Sequence, residues 1–174
     1  MYDLHNIIET ISERLYQQNQ KIIGYSQTGS SYEEWLNWEI FDALKSSGFV
    51  VQPKPSYRNY GSLDSGRFQA DIYAKSPDNR TELIFEVALV GDATQNKWRN
   101  KIEKDRSKLS NFIPHHENLL KIQLVILIAD YPELLKVWSG WLSKIKFWDG
   151  HSRCTVTKST ELGEMVLCYW QVET

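Results

Sequence analysis

Two short apolar runs, each interrupted by a single carboxylate, constrain this chain more than any other feature. Ala70-Asp71-Ile72-Tyr73-Ala74 ends a segment from Arg67 that alternates as a strand does. Leu83-Ile84-Phe85-Glu86-Val87-Ala88-Leu89-Val90 is apolar on both faces, as a central strand is. Between them, Ser76-Pro77-Asp78-Asn79-Arg80 reads as a turn, so the two runs are predicted to form a hairpin in the middle of a sheet. A carboxylate in such a strand is costly unless something pairs with it. Three answers are open: an ion pair with Arg67 or Lys75, a solvent-facing outer strand, or a divalent cation held by both acids.

The rest of the pattern fits an α/β chain. Leu4, Ile7, Ile8, Ile11 and Leu15 recur at helical spacing and predict an amphipathic helix over 3–23, followed by a loop over 24–30. Ser31 with Glu34 three residues later forms a capping-box pattern, opening a helix that runs to about Ser46 and ends at Ser47-Gly48. Phe49 to Gln52 is a short strand. Residues 94–112 form a charged helix with the stripe Trp98, Ile102, Leu109 and Phe112. Lys121 to Ala129 suits the sheet centre, a helix covers about 132–145, and strands are expected at 153–158 and 165–172. The expected architecture is one domain over 1–174, a central mixed β-sheet flanked by helices, with 1–23 as a helical extension and 31–130 as the core.

Composition bounds the function. No apolar run approaches the roughly 18 residues of a membrane span, so no membrane partner is expected. The start of the chain lacks a secretory pattern, and Cys154 and Cys168 fit free thiols; a cytoplasmic protein is expected. A net charge of −2 argues against binding nucleic acid with the whole surface. One local exception exists: Lys97 to Lys108 carries six basic against two acidic residues, a local excess of +4. Seven Trp and nine Tyr read mainly as packing, with Trp35/Trp38 and Trp138/Trp141 each on one helix face. His115-His116 has no zinc-site spacing and reads as surface.

With these elements in order, the chain resembles the PD-(D/E)xK nuclease superfamily over about residues 31–130. Trp38-Glu39-Ile40 corresponds to the helix acid, Ala70-Asp71-Ile72-Tyr73 to the strand Asp, and Phe85-Glu86-Val87-Ala88 to the second acid. The 15-residue spacing from Asp71 to Glu86 suits a hairpin. The resemblance implies a restriction-endonuclease-like core. It also implies Mg²⁺ or Mn²⁺ on Asp71 and Glu86, helped by the Val87 carbonyl, and DNA hydrolysis by a metal-activated water. Glu39 would hold a metal-bound water or a second metal, and a homodimer is one arrangement the resemblance suggests.

The chain departs from the family at Ala88, where the motif has Lys. Three readings stand side by side. The amine has moved to the next helix, with Lys97, and Lys101 one turn further, as catalytic candidates. Or the scaffold is kept as a non-catalytic immunity, accessory or nucleic-acid-binding module with a protein partner. Or the acids are structural. Arg58, Gln69, Gln95 and Lys104 are expected nucleic-acid contacts, with Tyr57 and Tyr60 beside Arg58.

Overall fold

The computed structural model describes residues 3–63, 68–91, 97–129, 154–160 and 163–173. Helices α1 (Leu4–Gln17), α2 (Asn19–Ser26) and α3 (Glu33–Ser46) precede strands β1 (Val50–Pro53), β2 (Gly61–Ser62), β3 (Ile72–Lys75) and β4 (Glu82–Val90). A 3₁₀ turn at Tyr57–Asn59 lies between β1 and β2. Helix α4 (Trp98–Asn111) and strands β5 (Ile113–Pro114), β6 (Leu119–Ala129), β7 (Cys154–Thr160) and β8 (Gly163–Gln171) follow.

Six strands form one mixed sheet in the order β1-β3-β4-β6-β8-β7. The central pair β4/β6 is parallel and bridged by α4, while the flanking pairs are antiparallel. Alternation along β4 assigns its faces. Leu83, Phe85, Val87 and Leu89 join the core with α1 and α3, including Ile8, Ile11, Leu36 and Ile40. Ala88 and Val90 pack with Trp98 and Ile102 of α4, and Ile84 with Leu109. The sheet is therefore covered by α1 and α3 on one side and by α4 on the other. Cys168 is buried on the α4 side. Among the described residues, no helix is long and apolar enough to cross a membrane.

The hairpin, the central strand at 119–129 and the end of α3 match the sequence pattern; Gly48 ends α3 at φ +85°. Four details differ. The helix expected over 3–23 is two helices broken at Gln18, and α2 extends to Ser26, where a loop was expected. No capping box opens α3: Tyr32, not Ser31, is the N-cap, its side chain does not cap the helix, and Glu34 pairs with Lys54. The strand expected from Arg67 begins only at Ile72, so Asp71 lies just outside it. The short pair β2/β5 is additional. The helix expected over 132–145, Trp138/Trp141 and Arg67 lie outside the described residues.

Gly61 lies where β2 meets β5, and a Cβ there would run into the Ile113 carbonyl oxygen and the Phe112 ring. Gly61→Ala is expected to cost about 2 kcal/mol. Gly24 sits within α2 with open space around it, so Gly24→Ala is expected to be neutral or to stabilise by up to about 1 kcal/mol. Urea denaturation of both variants checks this pair; equal midpoints would contradict the packing at Gly61.

Candidate functional site

Strand β3 pairs with β4 only as far as Ile72 opposite Phe85, yet β4 runs on to Val90. Beyond Phe85 the β3-facing edge of β4 has no strand partner, and its N–H groups need acceptors. Two carboxylates supply them. Asp71 Oδ2 accepts from the Val87 N–H at 2.8 Å, and Glu33 Oε2 from the Leu89 N–H at 3.2 Å. N–H and C=O of one strand residue point the same way, so the Val87 carbonyl also faces this gap.

Asp71 stands just before the β3 ladder and is tied to it by the backbone: the Lys54 N–H donates to the Asp71 carbonyl and the Asp71 N–H to the Phe85 carbonyl, both at 3.0 Å. Glu86 lies opposite Gln123 on β6. Glu86 is on the α4 side by alternation, and there α4 offers Lys101, Asp105 and Lys108 at spacings of four and three.

The resulting network is dense. Lys54 Nζ is 3.1 Å from Asp71 Oδ1 and 3.0 Å from Glu34 Oε2. Lys101 Nζ is 2.7 Å from Asp105, 3.4 Å from Glu33 and 4.0 Å from Asp71 Oδ2. Lys108 Nζ is 2.7 Å from Glu86 Oε1 and 2.9 Å from Asp105 Oδ1. The Tyr57 hydroxyl donates to the same Glu86 oxygen at 2.7 Å. Gln123, beside Glu86, donates from Nε2 to the Ile102 carbonyl at 2.8 Å, tying α4 to β6, and its buried Oε1 has no hydrogen-bond partner among the described residues.

Five carboxylates (Glu33, Glu34, Asp71, Glu86, Asp105) meet three ammonium groups, a net −2 when all are ionised. The imbalance is felt where solvent is excluded. Burial first, then the charges of Asp105 and Asp71, push Glu86 up to about 8 against the pull of Lys108. Burial also raises Glu33 above the ordinary carboxylate range. For Lys101 and Lys108, burial favours the neutral amine, but the surrounding acids outweigh it and raise both. Tyr57, buried and hydrogen-bonded to Glu86, is pushed far above the usual phenol range and stays a donor.

The residues expected from the sequence separate clearly. Asp71, Glu86 and Lys101 come together. Glu39 does not join them: it is buried on α3 and bound by Arg14 of α1 at 2.7 Å, and Glu33, two turns earlier, occupies the position beside Asp71. Lys97 is the exposed N-cap of α4, Lys104 is exposed on α4, and Arg58 and Gln69 are exposed near the 3₁₀ turn. Gln95 lies outside the described residues. Tyr57 is buried rather than available to a nucleic acid, and Tyr60 stacks on Tyr73. Lys75 pairs with Glu82, so the basic partner of Asp71 is Lys54. Lys108 continues the i, i+4, i+7 face of Lys101 and Asp105, a pattern present in the sequence.

Among the described residues, no three or more His, Cys, Asp or Glu side chains are grouped to hold a metal ion. The oxygen donors nearest the gap are the Asp71 carboxylate, bound to the Val87 N–H, and the Glu86 carboxylate, which feels the charge of Asp71; the Val87 carbonyl faces the same edge. This hard-oxygen set with excess negative charge fits Mg²⁺ or Mn²⁺, ions that keep several waters. No family model matches the chain, and no similar curated protein or solved structure was found at a significant level.

Because Glu86 is 2% exposed, removing Lys108 leaves a buried acid without its counter-ion, held by the neutral Tyr57 hydroxyl. Lys108→Met is expected to lower stability by about 3 kcal/mol. The double variant Lys108→Met/Glu86→Gln should recover most of that loss in denaturant unfolding. Additive losses would contradict the pairing.

Proposed function

We propose that this protein is a metal-dependent phosphodiesterase acting on DNA, with a restriction-endonuclease-like core. The observation that carries the reading is the approach of Lys101 from α4 to within 4.0 Å of Asp71 Oδ2, which offers an amine where Ala88 has none. Asp71, Glu86 and the Val87 carbonyl would hold Mg²⁺ or Mn²⁺. When bound, such an ion supplies a more acidic water and offsets charge on a phosphoryl oxygen. Lys101, kept protonated by Asp105, Glu33 and Asp71, offsets charge on the attacked phosphate. Lys108 and Tyr57 hold one oxygen of Glu86 and leave the other available. The exposed basic residues of α4, Lys97 and Lys104, would contact backbone phosphates without reading sequence.

A second reading has its own support. Lys54 and Lys108 already neutralise Asp71 and Glu86, as expected of a scaffold that kept the fold as a non-catalytic interaction module. Calorimetric titration with Mg²⁺ and Mn²⁺ separates the two, because the module has no need to bind either ion.

Cleavage of plasmid and oligonucleotide DNA with Mg²⁺ or Mn²⁺ tests the leading reading. Asp71→Ala, Glu86→Ala and Lys101→Ala are each expected to reduce the rate on the order of 100-fold or more, and Glu39→Gln to leave it within a few-fold. Wild-type rates for the first three variants would sink the site.

A further inference from the structure

Among the described residues, two non-glycine residues have positive φ, Asn79 and Lys54; Lys54, at φ +47°, is the one that is not asparagine, and it stands between Pro53 and Pro55. The left-handed region is unfavourable for a side chain with a Cβ, and a residue before proline is further confined to extended conformations. Strain of this kind persists only where the surroundings over-determine it. Here they do. Pro53 ends β1 opposite Ile72, the Lys54 N–H is held by the Asp71 carbonyl, and the Ala70 N–H by the Pro55 carbonyl. The corner turns the Lys54 ammonium onto Asp71 Oδ1 and Glu34, while its side chain stays 41% exposed. A buried structural ion pair needs no such exposure, and Asp71 is already satisfied on Oδ2 by Val87 and approached by Lys101.

Lys54 therefore occupies Oδ1 of the acid that would hold a divalent ion, while remaining partly open to solvent itself. We propose that Lys54 is a displaceable cation: it covers Asp71 Oδ1 in the metal-free protein, and on metal binding it gives up that oxygen and contacts a backbone phosphate of the substrate. The inference rests on the metal-dependent reading of Asp71 and Glu86. Charge supports the exchange. With all groups ionised the cluster carries a net −2 even with Lys54 included, so a divalent ion is attracted while the amine is still present. Glu34, 63% exposed, keeps the ammonium near the mouth of the site. The rigid corner limits the movement to the side chain.

Two variants and two equilibrium measurements test this. Lys54→Met removes the charge and keeps the stem; Lys54→Gly also relieves the positive φ and guards against misfolding. Calorimetry with Mn²⁺ is expected to show both variants binding the ion roughly two- to fivefold more tightly than wild type, since no ammonium competes. Binding of a duplex oligonucleotide in Ca²⁺ is expected to weaken. The slope of log Kd against log salt should fall by about 0.9, as for one lost phosphate contact, a change a structural residue would not produce. Unchanged or weaker Mn²⁺ binding by both variants, or an unchanged salt slope, overturns the role of Lys54 while leaving the metal site standing. Absence of Mn²⁺ binding by the wild-type protein overturns the inference together with the reading beneath it.

Discussion

The site depends on an unequal pair of strands. β3 stops at Ile72 while its neighbour β4 continues for five residues past Phe85, and the exposed N–H groups of Val87 and Leu89 must be satisfied inside the fold. Carboxylates of Asp71 and Glu33 do so, one from the end of β3 and one from the first turn of α3. That single requirement draws both acids to the edge of the central strand. Once they are there, the lysines of α4 and of the β1 corner follow, because acids shielded from water need cations.

The lysines do not balance the acids. Burial first, and the neighbouring acids after it, leave Glu86 and Glu33 with raised pKa values, so keeping these carboxylates charged here is costly. A protein selected only for stability would be expected to replace such a buried network with apolar packing, which is often neutral or stabilising. The rest of the molecule follows that rule: the two faces of β4 and β6 bury almost uninterrupted aliphatic side chains. Cost concentrated at one gap in an otherwise apolar sheet is the physical argument for function there.

Much of this was legible in the sequence. Apolar runs and the Ser76–Arg80 turn predicted the β3/β4 hairpin, and helical spacing predicted α1, α3 and α4. The two strand acids stood out because a charge inside an apolar run must be compensated. What periodicity cannot supply is register. The approach of Lys54 to Asp71 and of Gln123 to Glu86 exists only through pairing between segments separated in the chain, so Lys54 in its proline-flanked corner carried no signal. The same limit explains the helix acid. Glu33 and Glu39 are both acidic residues of α3, and which one faces the sheet gap depends on how α1 packs, since Arg14 claims Glu39. Ala88 marked a departure from the motif, and the i, i+4, i+7 face of Lys101, Asp105 and Lys108 carries amines that pair with the acids of the gap. Only the docking of α4 against β4 shows that this face turns inward.

The central claim is that the sheet gap at Asp71 and Glu86 is a seat for a divalent cation. A crystal structure of the wild-type protein grown with Mn²⁺, with anomalous scattering data, tests it most directly. The account predicts an anomalous peak bound by the Asp71 and Glu86 carboxylates and the Val87 carbonyl, with Lys54 withdrawn from Asp71. Saturating Mn²⁺ with no peak in the gap, and Lys54 and Lys108 still resting on the two acids, would contradict it.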